Sequence, residues 1–205
     1  MIKRKWRRAE PKVTGAKRKG KAQQHVSLGW HLGYQWYKKY YKKKKKMELT
    51  EDLENRVHRA VDNFMEGYGC CQSVVAAFSD LYGLDAEMAK RIGAGFGGGV
   101  GRMRMMCGAV SALVILVGLD CGQTEGDDRQ GKSACYKVVQ ELLAESKRQN
   151  GSIICAEILG IKGHEKAVSS YVASPRTMEY YQSRPCAAKV ESAARIFADY
   201  LMRKK

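Results

Sequence analysis

The run Ala109–Leu119 places apolar residues on every face of a helix, so it cannot lie along a surface with one side in water. A chain that contains it must wrap other elements around it. The run closes a longer stretch that begins at Gly93 and reads GAGFGGGVGRMRMMCGAVSALVILVGL. Gly95, Gly97, Gly98, Gly99 and Gly101 give that stretch a backbone able to enter left-handed conformations and to approach other groups closely. Arg102 and Arg104 follow this turn, and Cys107 then falls at the amino end of the buried helix.

The rest of the sequence supplies helices to surround that core. Thr50 reads as a cap for a helix in which Leu53, Val57, Val61 and Phe64 recur at helical spacing to about Glu66. A second helix is expected from Cys70 to about Tyr82, closed by Gly83, and a third from Ala86 to Ala94 behind the cap Asp85. Asp128 can cap a long helix stopped by Gly151, and Ser152 a short one through Cys155 stopped by Gly160. Lys162–Arg184 reads as irregular and polar, and Pro185 leads into a last helix from Cys186 to Leu201. Alternating, β-branched strand patterns are missing, so the expected fold class is all-α, a compact single-domain helical array with a glycine-rich turn.

Charge divides the chain in two. Residues 1–46 hold 17 Lys and Arg against the single acid Glu10, whereas residues 47–205 hold 20 of each sign. The whole excess of +16 therefore sits in the leader, while the helical domain over 47–205 is neutral. Leader segments such as KRKWRR and YKKYYKKKKK lack apolar periodicity and are expected to be disordered. With Trp30, Tyr34, Trp36, Tyr37, Tyr40 and Tyr41 interleaved, the leader could bind nucleic acid by phosphate contacts and base stacking. A second expectation removes that role: the five-lysine run before Met47 resembles a translated ribosome-binding stretch, which would make Met47 the start and the leader no part of the native protein. No run reaches the roughly 20 apolar residues of a membrane span.

The seven cysteines come without a continuous apolar export signal, so a reducing, cytoplasmic compartment is expected. Cys70, Cys107, Cys155 and Cys186 each fall in the first turn or so of an expected helix, where free N–H groups and the helix dipole favour a thiolate. The same setting suits sulfur ligands of an iron–sulfur cluster or another thiolate-bound metal. Two readings of these four residues therefore stand side by side: redox thiols, or ligands of a metal centre. Cys135, in mid-helix, reads as core; Cys71 and Cys121 stay open, with Cys71 a candidate resolving thiol beside Cys70. There is no CxxC pair, so neither a thioredoxin motif nor zinc-finger spacing is present.

Other motifs carry less. Gly93–Gly98 fits GxGxxG formally but follows no strand, which argues against a dinucleotide site. Met103, Met105 and Met106 read as gap fillers, and His58 and His164 have no catalytic partner in the pattern. Arg102 and Arg104, close to Cys107, read either as a solvated pair or as stabilisers of a thiolate or an anion.

Taken together, these residues resemble the redox-active C_GCAxxG_C_C family over about Leu49–Leu201. Cys70-Cys71-Gln72-Ser73 is similar to its first cysteine, Gly95–Arg102 to its glycine turn, Cys107-Gly108-Ala109-Val110-Ser111 to its central cysteine, Ser152–Cys155 with Leu159-Gly160 to its third, and Cys186 to its last. Ala112 departs from the pattern, standing where the family has a glycine. The resemblance implies a helical protein with redox-active cysteines and an electron partner of unspecified kind. Gly97, Gly98, Gly99, Gly101 and Arg102 are the expected cofactor-binding residues beside the four cysteines.

Overall fold

A computed structural model describes residues 50–161 and 170–204. The basic leader, its predicted disorder and its nucleic-acid role lie outside the described residues, as does His164. Every described residue belongs to one compact unit, Lys46–Lys205.

The helices are α1 (50–65), α2 (Cys70–Phe78), α3 (Ala86–Ala94), α4 (Gly108–Cys121), α5 (Arg129–Asn150), α6 (Cys155–Ile158), α7 (Met178–Gln182) and α8 (Cys186–Lys204). No strand occurs among the described residues, and the all-α expectation holds. Several helix ends sit where local chemistry puts them. Asp85 accepts from the Met88 N–H at 2.8 Å, Asp128 accepts from the Gly131 N–H at 2.8 Å, and Gly83 and Gly151 close their turns at φ 68° and 80°.

Four boundaries differ from the sequence reading. Residue 50 is already helical, so Thr50 is not the cap expected of it. The second helix tightens into a 3₁₀ turn, Ser79–Tyr82, instead of continuing as α-helix. Ile154, not Ser152, stands at the α6 cap, although the Ser152 hydroxyl accepts from the Ile154 N–H at 2.9 Å and donates to Glu157. The polar stretch before Cys186 contains α7, capped by the Thr177 hydroxyl at 3.2 Å from the Tyr180 N–H.

Helix α4 is the axis of the core. Ala112, Leu113, Leu116 and Val117 have no exposed surface, and α2, α5 and α8 pack around them. Ala112, the departure from the family pattern, is accommodated in that packing. Phe78 of α2 meets Phe197 of α8 edge to face, with centroids 5.2 Å apart, at a geometry that adds to simple burial. Polar ties set the helix registers: Arg195 of α8 grips Glu54 of α1 through two bonds of 2.9 Å, and Asn150 of α5 donates to Ser192 of α8 at 3.0 Å. Because α2 and α8 start at the same end of the molecule as α4, their first residues are brought together there.

Candidate functional site

The glycine turn makes the site possible. Gly98, Gly99, Val100, Gly101 and Arg102 all have positive φ, between 55° and 75°, and Arg104 joins them at 61°. For Val100, Arg102 and Arg104 this conformation is strained, at a cost of about 1–3 kcal/mol each, so the surroundings must hold it in place. They do so by backbone bonds: Arg102 N–H to Gly97 O at 3.0 Å and Met105 N–H to Gly99 O at 3.0 Å. At Gly99 a Cβ would lie 2.5 Å from the Cys155 Cβ, so only glycine lets the turn come this close to α6.

The end of the turn then pairs with the segment before α6. Cys107 N–H donates to Ile153 O at 2.9 Å, and Cys155 N–H donates to Met105 O at 2.6 Å. This short antiparallel contact, centred on Met106 and Ile154, sets Cys107 and Cys155 on neighbouring walls. Cys70 and Cys186 are the first residues of α2 and α8, and Cys107 caps α4. The four cysteines line one cavity of about 60 Å³, together with Gly97, Gly98 and Gly99. Gly101 and Arg102 line an adjoining, more open chamber.

Electrostatics separates the four thiols. The neighbouring Cys186 sulfur and burial push the Cys70 thiol well above the usual range. The Cys70 thiol beside it lowers Cys186, and Arg184, Arg176 and Arg104 lower it further against the effect of burial. Of the four, Cys186 is the sulfur whose surroundings favour the thiolate form. Cys107 is pushed up to about 11 by burial, although the Ala109 and Val110 N–H groups at the start of α4 pull it down. Burial also raises Cys155, with the Arg104 guanidinium opposing it. A helix start alone does not make a thiolate here, because desolvation outweighs the backbone N–H groups wherever cations do not add to them.

The remaining cysteines lie elsewhere. Cys71 is fully buried in the core and pushed up to about 12 by that burial, so it does not face the cavity beside Cys70. Cys135 packs in the core as expected. Cys121 is the last residue of α4, and its thiol donates to Val117 O at 3.4 Å.

Arg176, Tyr180, Arg184 and Lys189 also line the thiol cavity, and the sequence reading missed all four. The signal was weak, since Arg176, Tyr180 and Arg184 sit in the stretch read as irregular and none of the four belongs to a motif. Their place is set by tertiary contacts: the Arg176 guanidinium lies 4.9 Å from the Phe64 ring centroid and 4.5 Å from that of Tyr180, and donates to Tyr68 O at 3.1 Å.

The donor chemistry of four cysteines suits iron or zinc, but among the described residues no three Cys, His, Asp or Glu side chains gather closely enough to hold a metal ion. Also among the described residues, no helix is long and apolar enough to cross a membrane.

A helical domain with cysteines converging at helix starts around a strained glycine turn is a thiol-bearing redox scaffold in class. The family model described as "Putative redox-active protein (C_GCAxxG_C_C)" matches residues 68–200, and the chain belongs to that family. No curated protein and no solved structure matches the chain.

Proposed function

We propose that the protein carries out thiol–disulfide exchange through Cys70 and Cys186, with Cys107 and Cys155 completing the cavity. The observation that carries this reading is that Cys70 and Cys186, the first residues of α2 and α8, line one cavity whose wall also holds Arg104, Arg176 and Arg184. The Cys186 thiolate attacks one sulfur of an incoming disulfide, forming a mixed disulfide and expelling the other half as a thiolate, which takes a proton from water. Cys70 then gives up its proton and attacks the Cys186 sulfur, so the second half leaves as a thiol. The balance is two protein thiols oxidised to one disulfide and one substrate disulfide reduced to two thiols. The lowered Cys186 suits the attacking role, and the raised Cys70 keeps its proton until the mixed disulfide has formed.

Cysteine mapping by mass spectrometry after equilibration in dithiothreitol buffers of graded potential tests this. A Cys70–Cys186 disulfide in the oxidised protein is expected, with Cys71 and Cys135 still reduced. If both residues stay reduced across the series, or if anaerobically purified protein carries stoichiometric iron and sulfide that shield them, the exchange reading fails.

A further inference from the structure

Beside the thiol cavity lies a chamber of about 410 Å³, within the size range of small-molecule sites. Arg104, Arg176, Arg184 and Tyr180 form the wall common to both spaces. Arg102 adds a fourth guanidinium from the outer side, held there by bonds to Ser170 O at 3.0 Å and Ser174 Oγ at 2.9 Å. Among the described residues no acidic side chain lines this chamber, and none of the four arginines meets a carboxylate.

Two of these cations are incompletely satisfied. Arg104 is 7% exposed, and among the described residues its buried Nε has no hydrogen-bond partner; the same is true of the buried Nη1 of Arg176. Buried donors normally find partners, so unpaired ones on a cavity wall point to a group that arrives from outside. Arg176 and Arg184 also flank the Tyr180 ring, at 4.5 Å and 4.6 Å, which fixes their forks without using their N–H donors on a protein acid. Guanidinium forks match carboxylate and other oxyanions in shape and charge.

We infer that the chamber is the docking site for a small disulfide bearing two or more carboxylate or equivalent oxyanion groups. The arginines hold its oxyanions, and its sulfur–sulfur bond lies toward Cys186 through the shared wall. This substrate assignment rests on the exchange reading above, and the step it serves is the same two-electron exchange. Arg102 lines the chamber but not the thiol cavity, so it is a positioning residue for the anion.

Two measurements separate the claims. Calorimetry of a Cys70→Ser/Cys186→Ser variant with oxidised glutathione as the probe reads docking without reaction. Saturable binding is expected, weakened roughly tenfold by Arg102→Gln and restored in part by Arg102→Lys, as for one charge-assisted contact. Stopped-flow oxidation of the wild-type thiols then compares oxidised glutathione with the neutral hydroxyethyl disulfide. The ratio of their rates should favour the anion and fall about tenfold in Arg102→Gln. Equal rates for the two probes, or binding by the serine variant that ignores Arg102, would overturn the chamber while leaving exchange standing. Arg102-dependent binding without any thiol oxidation would sink the exchange reading and the disulfide assignment but keep an oxyanion site. Should the serine variant lose its helical circular dichroism, the rate ratio with native cysteines decides alone.

Discussion

The two ends of α4 carry cysteines in opposite electrical settings. At the amino end Cys107 faces a cavity walled by Arg104, Arg176 and Arg184, and the neighbouring Cys186 is held as a thiolate. At the carboxyl end Cys121 is raised by burial, by Cys135 and by Asp120, with only the Tyr200 hydroxyl pulling the other way. Asp120 itself accepts from Tyr200 at 2.6 Å, Lys204 at 2.7 Å and Tyr82 at 3.2 Å. Burial raises the α4 cysteine at both ends; what differs is the neighbourhood, arginines around Cys186 at one end and Asp120 beside Cys121 at the other. The residue type does not decide the chemistry; the charges gathered around it do.

The largest test of this contrast is a pair of glycine substitutions. Gly99→Ala, at φ 75° and with its Cβ forced onto Cys155, should cost about 2–4 kcal/mol from backbone strain and overpacking. Gly118→Ala, in the carboxyl half of α4 with nothing within 4 Å of the new Cβ, should stabilise by about 0.5–1 kcal/mol. Urea unfolding of both variants measures the difference, and similar midpoints would mean that the turn is not the strained, close-packed element described.

Alkylation comes next in size. Iodoacetamide at pH 7 should label Cys186 about tenfold faster than Cys121, because only the former is held as a thiolate. Labelling of Cys186 should fade as pH falls through its lowered folded value. Arg184→Gln removes one of the cations that lower it and should slow its labelling a few-fold at pH 7, less in high salt. Unchanged labelling in that variant would mean that Arg184 has no part in holding the thiolate, leaving Cys70, Arg176 and Arg104.

Stability against pH gives a further test. Cys70, Cys71, Cys107, Cys121 and Cys155 are raised in the folded protein. Their contribution is present below the unfolded thiol value of about 8.5 and is lost as pH rises through the folded ones. Cys186, being lowered, contributes above about 8.5 and loses that contribution as pH falls through its folded value. With five groups against one, reduced protein should lose stability as pH climbs beyond about 8.5, read from denaturation midpoints at pH 7.5 and 9.5.

Much of this was legible in the residues because it is local. The α3 limits, the Asp128 cap, the Gly151 stop and the positions of Cys70 and Cys186 at helix starts follow from caps, glycines and 3.6-residue spacing acting within a few residues. The α4 burial is legible for the same reason, since a helix apolar all round has no face to offer water. Less legible was the stretch before Cys186. Met178–Gln182 spans little more than one turn, and its cap Thr177 lies among residues with no apolar period, so nothing short-range announced that Arg176 and Arg184 would stack on Tyr180.

What the sequence determined by itself is therefore the set of helices, the glycine turn and the placement of four cysteines at or next to helix ends. Only the tertiary structure decided which of those sulfurs carries charge. A thiolate's energy depends on desolvation and on the groups the fold sets around it: Cys70 and Arg104 reach Cys186 from more than 80 residues away along the chain, and such through-space terms leave no mark on local spacing.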